Sequence, residues 1–235
     1  MKKVLIMVIS SQEPPYGEMI NTSLNTWDKV EVEGVETLFY CGKPLQQNTD
    51  KVIYFPVKES LHSMGKKDLI AYEWALQNKE FDFVARVNSS CYVNKKKLFD
   101  YCQTLPVEKI FAGLPVTDTP KWIWGGGQFI ISRDVLQRMV DMKDKWNHNE
   151  MEDKAMSYLV NEMGIEYTPS PASSISIRPD GKYDLLCYNA DAGFTFSNFA
   201  ELNKLEIQYF FRIKQDGQRQ LEKNIMTEMY LNLKQ

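Results

Sequence analysis

A chain of 235 residues with 43% apolar content can fill one α/β core, and a single domain over 1–235 is the simplest arrangement. Its 28 basic and 31 acidic side chains leave a formal charge of -3, which argues against a nucleic-acid binder or a protein held to anionic membranes. Four separated cysteines (Cys41, Cys91, Cys102, Cys187) form no Cys-x-x-Cys pair, and with only His62 and His148 neither a Cys/His metal centre nor a serine–histidine hydrolase has support.

Val4–Ile9 is an apolar run followed by Ser10, Ser11, Gln12, Glu13 and two prolines. It is too short for a membrane span or signal peptide and predicts a first core strand. The expectation is a cytoplasmic protein of bacterial or viral type. Strands are predicted over 35–40 and 52–55, and a helix over 66–78 from the spacing of Leu69, Ile70, Tyr72, Trp74 and Leu76. In 81–87 the residues Phe81, Phe83, Ala85 and Val87 alternate, predicting a buried strand that stops at Asn88-Ser89-Ser90. A helix over 95–105 ends at Pro106. Strands over 110–113 and 128–131 follow, separated by a segment bearing prolines and tryptophans, and helices over 133–145 and 152–163 come next. Ser132 or Asp134 is expected to cap the first of these, and Gly164 to stop the second. Residues 168–199 show little periodicity and are expected to wrap the site as loops and short strands. Leu221, Ile225, Met229 and Leu233 share one face of a final helix over 221–233. The alternation of strands and helices predicts a mainly parallel sheet with helices on both faces.

The sequence Phe-Asp-Phe-Val-Ala-Arg-Val-Asn-Ser-Ser-Cys-Tyr-Val-Asn over 81–94 resembles the fringe-like and beta-1,3-galactosyltransferase-like enzymes of the GT-A fold. In those enzymes this strand ends in three aspartates that hold a divalent metal on a nucleotide diphosphate. Here Asn88, Ser89 and Ser90 stand in the acidic places. Further segments carry the resemblance: Val8-Ile9-Ser10-Ser11, Asn25-Thr26-Trp27, the helix start with Lys66 and Lys67, the run Trp124-Gly125-Gly126-Gly127-Gln128-Phe129, and Met151-Glu152-Asp153. It implies a GT-A-like α/β fold and a glycosyltransferase moving a sugar from a nucleotide-diphosphate donor to a glycan or other hydroxyl acceptor, with inversion.

On that resemblance Ser10, Ser11, Lys67 (or Lys66), Asn88, Ser89 and Ser90 would meet the donor nucleotide. Trp122, Trp124, Gly125, Gly126 and Gly127 would lie on the sugar and acceptor side, the glycines permitting close backbone approach. Asp153 would be the base, with Glu152 orienting it or touching the acceptor. Arg212 and Lys214 fall on one side of an extended segment, and would meet the diphosphate where the resembling enzymes use a metal and a late histidine, which this chain lacks after His148. No cofactor is therefore expected. A manganese or magnesium ion enters only if acids elsewhere, such as Asp82 or Asp118, hold it. A non-catalytic descendant binding glycans or nucleotides is the alternative that the missing acids favour. Cys91, beside this turn, reads either as a packing thiol or as a nucleophile.

Overall fold

The computed structural model describes residues 1–42, 47–171, 173–187, 192–204, 209–213, 215 and 218–233. Six consecutive apolar residues leave no face for water, so β1 (Val4–Ile9) belongs in the middle of a doubly covered sheet. It runs parallel to β2 (Val35–Gly42) on one side and to β4 (Phe83–Asn88) on the other. β3 (Val52–Phe55) adds a further parallel edge beyond β2. On the far side of β4 lies β9 (Phe129–Ser132), antiparallel to β4 and to β6 (Phe111–Gly113), and β10 (Thr168–Pro169) closes the order β10-β6-β9-β4-β1-β2-β3. The sheet is mainly parallel, with β9 as its reversed strand.

The two-residue period of β1 divides the core. Val4, Ile6 and Val8 face α1 (Tyr16–Asn25), α3 (Lys95–Thr104) and α6 (Arg219–Asn232), whereas Leu5, Met7 and Ile9 face α2 (Met64–Asn78), α4 (Arg133–Asp141) and α5 (Glu152–Glu162). Helices therefore cover both faces, as the alternation predicts. No helix among the described residues is long and apolar enough to cross a membrane.

After β4 the chain turns through Ser89 and Ser90 into β5 (Cys91–Val93) and leaves the first sheet for a second one. There β5 pairs antiparallel with β14 (Phe210–Ile213), and the order continues through β11 (Ser173–Ile177), β12 (Tyr183–Cys187) and β13 (Ala192–Phe196). The segment expected to form loops and short strands is largely this meander. Its buried face mixes Ser173 with Ile175, Leu185 and Cys187, and Ser173 is satisfied by donating to the Phe210 carbonyl at 3.0 Å. A small β-ribbon, β7 (Pro115–Val116) with β8 (Trp122–Ile123), precedes β9.

Two local expectations are corrected, and one helix is added. Residues 16–25 form α1, which no sequence signal had announced. The helix expected over 133–145 ends at Asp141 and gives way to a 3-10 turn at Lys143–Lys145. Ser132 occupies the N-cap of α4 without a side-chain cap: its Oγ accepts the Ile110 N–H at 2.9 Å, and Asp134 accepts the Lys109 N–H at 3.0 Å. Both side chains fasten the start of β6 to α4.

Candidate active site at the carboxyl ends of β1 and β4

Parallel strands end on one edge of the sheet, and the crevice there is the usual ligand site of open α/β folds. A cleft of about 440 Å³ lies at that edge, bounded by Ile9, Ser10 and Ser11 after β1 and by Asn88, Ser89 and Ser90 after β4. Lys67 and Arg212 also line it. Of the residues expected to meet the nucleotide, the described ones therefore share one cleft; Lys214 lies outside the described residues. The second sheet explains how Arg212 arrives. Its strand position pairs with Cys91, and the Ile213 N–H donates to the Ser90 carbonyl at 2.9 Å, so β14 is laced to the turn.

Electrostatics distinguish the two cations. Lys67 is buried, donating to the Ser10 carbonyl and to Glu59 Oε2, each at 2.7 Å. Glu59 also accepts the Gly42 N–H, so an internal carboxylate already answers this ammonium. Arg212 differs: its Nη1 is buried and meets no hydrogen-bond partner among the described residues. Burial lowers its pKa, opposed chiefly by Cys91 and Glu222. Arg219, the first residue of α6, also borders the cleft; it pairs with Glu222 and lies 5.1 Å over the Tyr16 ring. The amino-terminal turns of α1, α2 and α6 thus border the cleft through Tyr16, Met64 and Arg219, and helix amino ends favour anions.

The carboxylates and the glycine turn stand next to this cleft without lining it. Asp153 Oδ2 accepts the Gly125 N–H at 2.9 Å and Oδ1 accepts the Lys154 N–H at 2.9 Å. Burial pushes its pKa up, partly countered by the Gly125 hydrogen bond. Glu152 is turned onto Arg86, whose Nη2 donates to Oε1 at 2.8 Å. The space above Gly125 and Gly126 is occupied by the chain itself. A Cβ on Gly126 would stand 2.2 Å from the Trp124 ring, and one on Gly125 would stand 3.0 Å from Asp153 Cβ. Gly127 completes this 3-10 turn. Trp122 donates its ring N–H to Asp118 at 3.1 Å, with the Lys154 ammonium 5.3 Å from its ring centroid.

Two residues that sequence reasoning missed join these parts. Gln128 has φ of 69°, and its buried side chain accepts the Asn88 N–H at 3.0 Å while donating to the Gly126 carbonyl at 3.0 Å. A positive φ on a non-glycine residue signals a constrained position, but no sequence signal reveals it. Arg86, inside β4, is fully buried. A lone cation in an apolar run was the signal available. Cys91 is buried and its thiol is pushed up to about 12 by that burial, which leaves it as packing. The other three cysteines are free and buried too.

Asp82 and Asp118, the acids that the metal-holding alternative would use, are not in the cleft. Asp82 accepts the Lys3 N–H at 2.6 Å at the opposite end of β4. Among the described residues no three His, Cys, Asp or Glu side chains are grouped as round a metal ion.

No protein family and no curated protein matches the chain by sequence. Among solved structures it is similar to a glycosyltransferase involved in the glycosylation of the major capsid of PBCV-1, with a TM-score of 0.53 and 10% identity over 94% of this chain and 98% of that one. The fold is one shared with a glycosyltransferase. The glycosyltransferase GlyE of Streptococcus pneumoniae TIGR4 aligns more loosely, at a TM-score of 0.44 and 14% identity over 72% of this chain and 45% of that one. Its apo form gives 0.43 and 12%.

Proposed function

We propose that the protein is a glycosyltransferase that moves a sugar from a nucleotide-diphosphate donor to an acceptor hydroxyl with inversion. The observation that carries this reading is the buried Arg212 Nη1, without a hydrogen-bond partner among the described residues, in a cleft edged by Ser10, Ser89 and Ser90 at the carboxyl ends of parallel strands. An arginine with a free Nη1 and no ion pair among the described residues matches a diphosphate, which accepts paired N–H donors. The serine hydroxyls add neutral hydrogen bonds to phosphate or ribose. Lys67 keeps one ammonium hydrogen beyond its two internal bonds, and Lys214, expected at the diphosphate from the sequence, lies outside the described residues.

In the reaction, the acceptor oxygen bonds to the anomeric carbon as the bond to the diphosphate oxygen breaks. The electron pair leaves with the diphosphate, which Arg212 stabilises, and the proton passes to Asp153. Each Asp153 oxygen accepts one backbone N–H and retains a lone pair for that proton. Trp122, Trp124 and the turn of Gly125, Gly126 and Gly127 form the sugar and acceptor side, and the 235 residues work as one transfer unit.

The turn Asn88-Ser89-Ser90 is where the resembling fringe-like enzymes carry three acids. A neutral amide and two hydroxyls do not offset a doubly charged ion as carboxylates do. The diphosphate's charge is met by the chain's own cations, and no step runs through a metal. A second reading, binding without transfer, is favoured by the absence of Asp153 from the described cleft lining.

A panel of nucleotide sugars, scored for thermal stabilisation and for transfer or hydrolysis with and without chelator, tests both. Stabilisation by one donor with turnover supports transfer. Stabilisation without turnover on any acceptor supports the binding reading, and no stabilisation by any donor defeats both.

A further inference from the structure

We infer that Arg86 is a positioning residue: it closes a ring of hydrogen bonds that fixes the proposed base relative to the donor turn. The inference rests on the proposed transfer reaction for its functional meaning, and on geometry for the ring itself. Arg86 Nη1 donates to Asn88 Oδ1 at 3.1 Å, and Asn88 Nδ2 donates to the Gly125 carbonyl at 3.2 Å. The Gly125 N–H donates to Asp153 Oδ2 at 2.9 Å. Asp153 is joined through one peptide to Glu152, whose Oε1 accepts Arg86 Nη2 at 2.8 Å. The circuit returns to its start. It joins three separate parts of the fold, the end of β4, the glycine turn and the first turn of α5.

The guanidinium is held where it can do this. Its Nε stands 3.6 Å from Asp68 Oδ2 on α2, its carbon 5.6 Å from the Phe129 ring centroid, and the side chain is fully buried. One planar group therefore addresses three elements at fixed angles. A lysine, with a single mobile ammonium, keeps the charge but not the fork. Transfer requires the base and the departing diphosphate to stand in a set relation to the same sugar carbon, and small misplacement lowers the rate steeply. Arg86 touches neither donor nor acceptor in this account; it acts through Asn88 and Glu152.

The test is Arg86→Lys in the full chain, read by steady-state kinetics and by amide hydrogen exchange. The expected result is a fall in kcat of at least about tenfold with donor KM within about threefold. Exchange at the Asn88 and Gly125 amides should rise at least about tenfold while Val84 and Ala85 in the same strand keep their protection. A parent-like kcat, or a uniform rise in exchange along β4, overturns the inference, since a merely structural arginine predicts one or the other. If Arg86→Lys does not fold, Asn88→Ala and Glu152→Gln are combined. A double variant no slower than the slower single one supports the ring, and multiplicative losses overturn it. Should the parent bind no nucleotide sugar, the proposed function fails, and the exchange measurements still decide whether the ring exists.

Discussion

Arg212 lines the cleft, Arg86 is buried behind it and hydrogen-bonded to the cleft residue Asn88, and their surroundings are opposite. Arg86 is enclosed below the end of β4 with two carboxylates, Asp68 and Glu152, for one guanidinium. Burial would lower its pKa, but those two acids outweigh it and hold the group charged. Arg212 lines the cleft with an Nη1 that meets no partner among the described residues. A desolvated cation without a counter-ion is unfavourable on its own, whereas one enclosed by acids is a fixed part of the interior. The difference assigns the first charge to architecture and, under the proposed function, the second to a ligand. It also orders the experiments, because removing the inner charge should change stability and removing the outer one should change binding.

The largest effect is expected from Arg86→Met. Deleting the guanidinium leaves Asp68 and Glu152 buried side by side, a change that in comparable buried pairs destabilises by about 3–5 kcal/mol. Urea unfolding measures it, and a loss below about 1 kcal/mol would show that the inner cluster is not held by its charge balance.

A related effect is expected from Asp68→Asn, through pH. Burial pushes the Asp68 carboxyl up to about 6, against the pull of Arg86 and with Glu152 adding to the rise, while Tyr40 donates to it at 2.6 Å. Unfolding returns it to about 3.9. The folded chain thus holds a proton that the unfolded chain releases between those values. Stability contributed by this group is present below pH 4, declines as pH rises to about 6, and is absent above, a change of roughly 3 kcal/mol. The asparagine, neutral throughout, should flatten that decline. Parallel stability–pH curves for parent and variant would contradict the assignment.

How much of this was legible in the sequence differs between the same two regions. The strands of the first sheet announced themselves because both faces are buried, so 4–9, 81–87 and 128–131 read as apolar runs. Residues 88–90 were legible as a polar strand end, and Arg212 as a basic position in an extended stretch. What stayed hidden depends on contacts distant in sequence. The partners of Arg86 are Asp68 and Glu152, 18 and 66 positions away. The role of Gln128 depends on a positive φ and on Asn88 from another strand. The second sheet was hidden for a different reason: β11 places Ser173 on its buried face, and a hydroxyl satisfied by a distant carbonyl looks like a loop residue. α1 follows two prolines and has Glu18, Asn21, Thr22 and Asn25 among its ten residues, so its apolar stripe is only Met19, Ile20 and Leu24.

Asp153→Asn sharpens the comparison at the boundary between the two regions. Donor affinity should stay within about threefold, while transfer falls by at least about 100-fold, the usual scale for losing a positioned base. The rate in the parent should rise with pH through the Asp153 pKa, which burial holds above the ordinary aspartate value. Transfer by the variant at the parent rate would return Asp153 to a purely structural role, anchoring Gly125.

Arg212→Ala should have the smallest effect on the fold and a selective effect on the ligand. Among the described residues Nη1 has no partner, and Glu222, the acid that acts on Arg212, keeps its pair with Arg219, so unfolding free energy should change by less than about 1 kcal/mol or increase. Donor affinity should weaken by about 1.5–3 kcal/mol, the range for charged hydrogen bonds, or roughly 10- to 100-fold in Kd. Calorimetric titration of nucleotide sugar into parent and variant, each with and without chelator, separates the sources of positive charge. The mutation should weaken binding and chelation should leave it unchanged. The reverse pattern, an indifferent Arg212→Ala with affinity lost to chelator, would mean that a divalent ion answers the diphosphate. Arg212 would then be a desolvated cation with no ligand to justify it, and the contrast with Arg86 would lose its functional meaning.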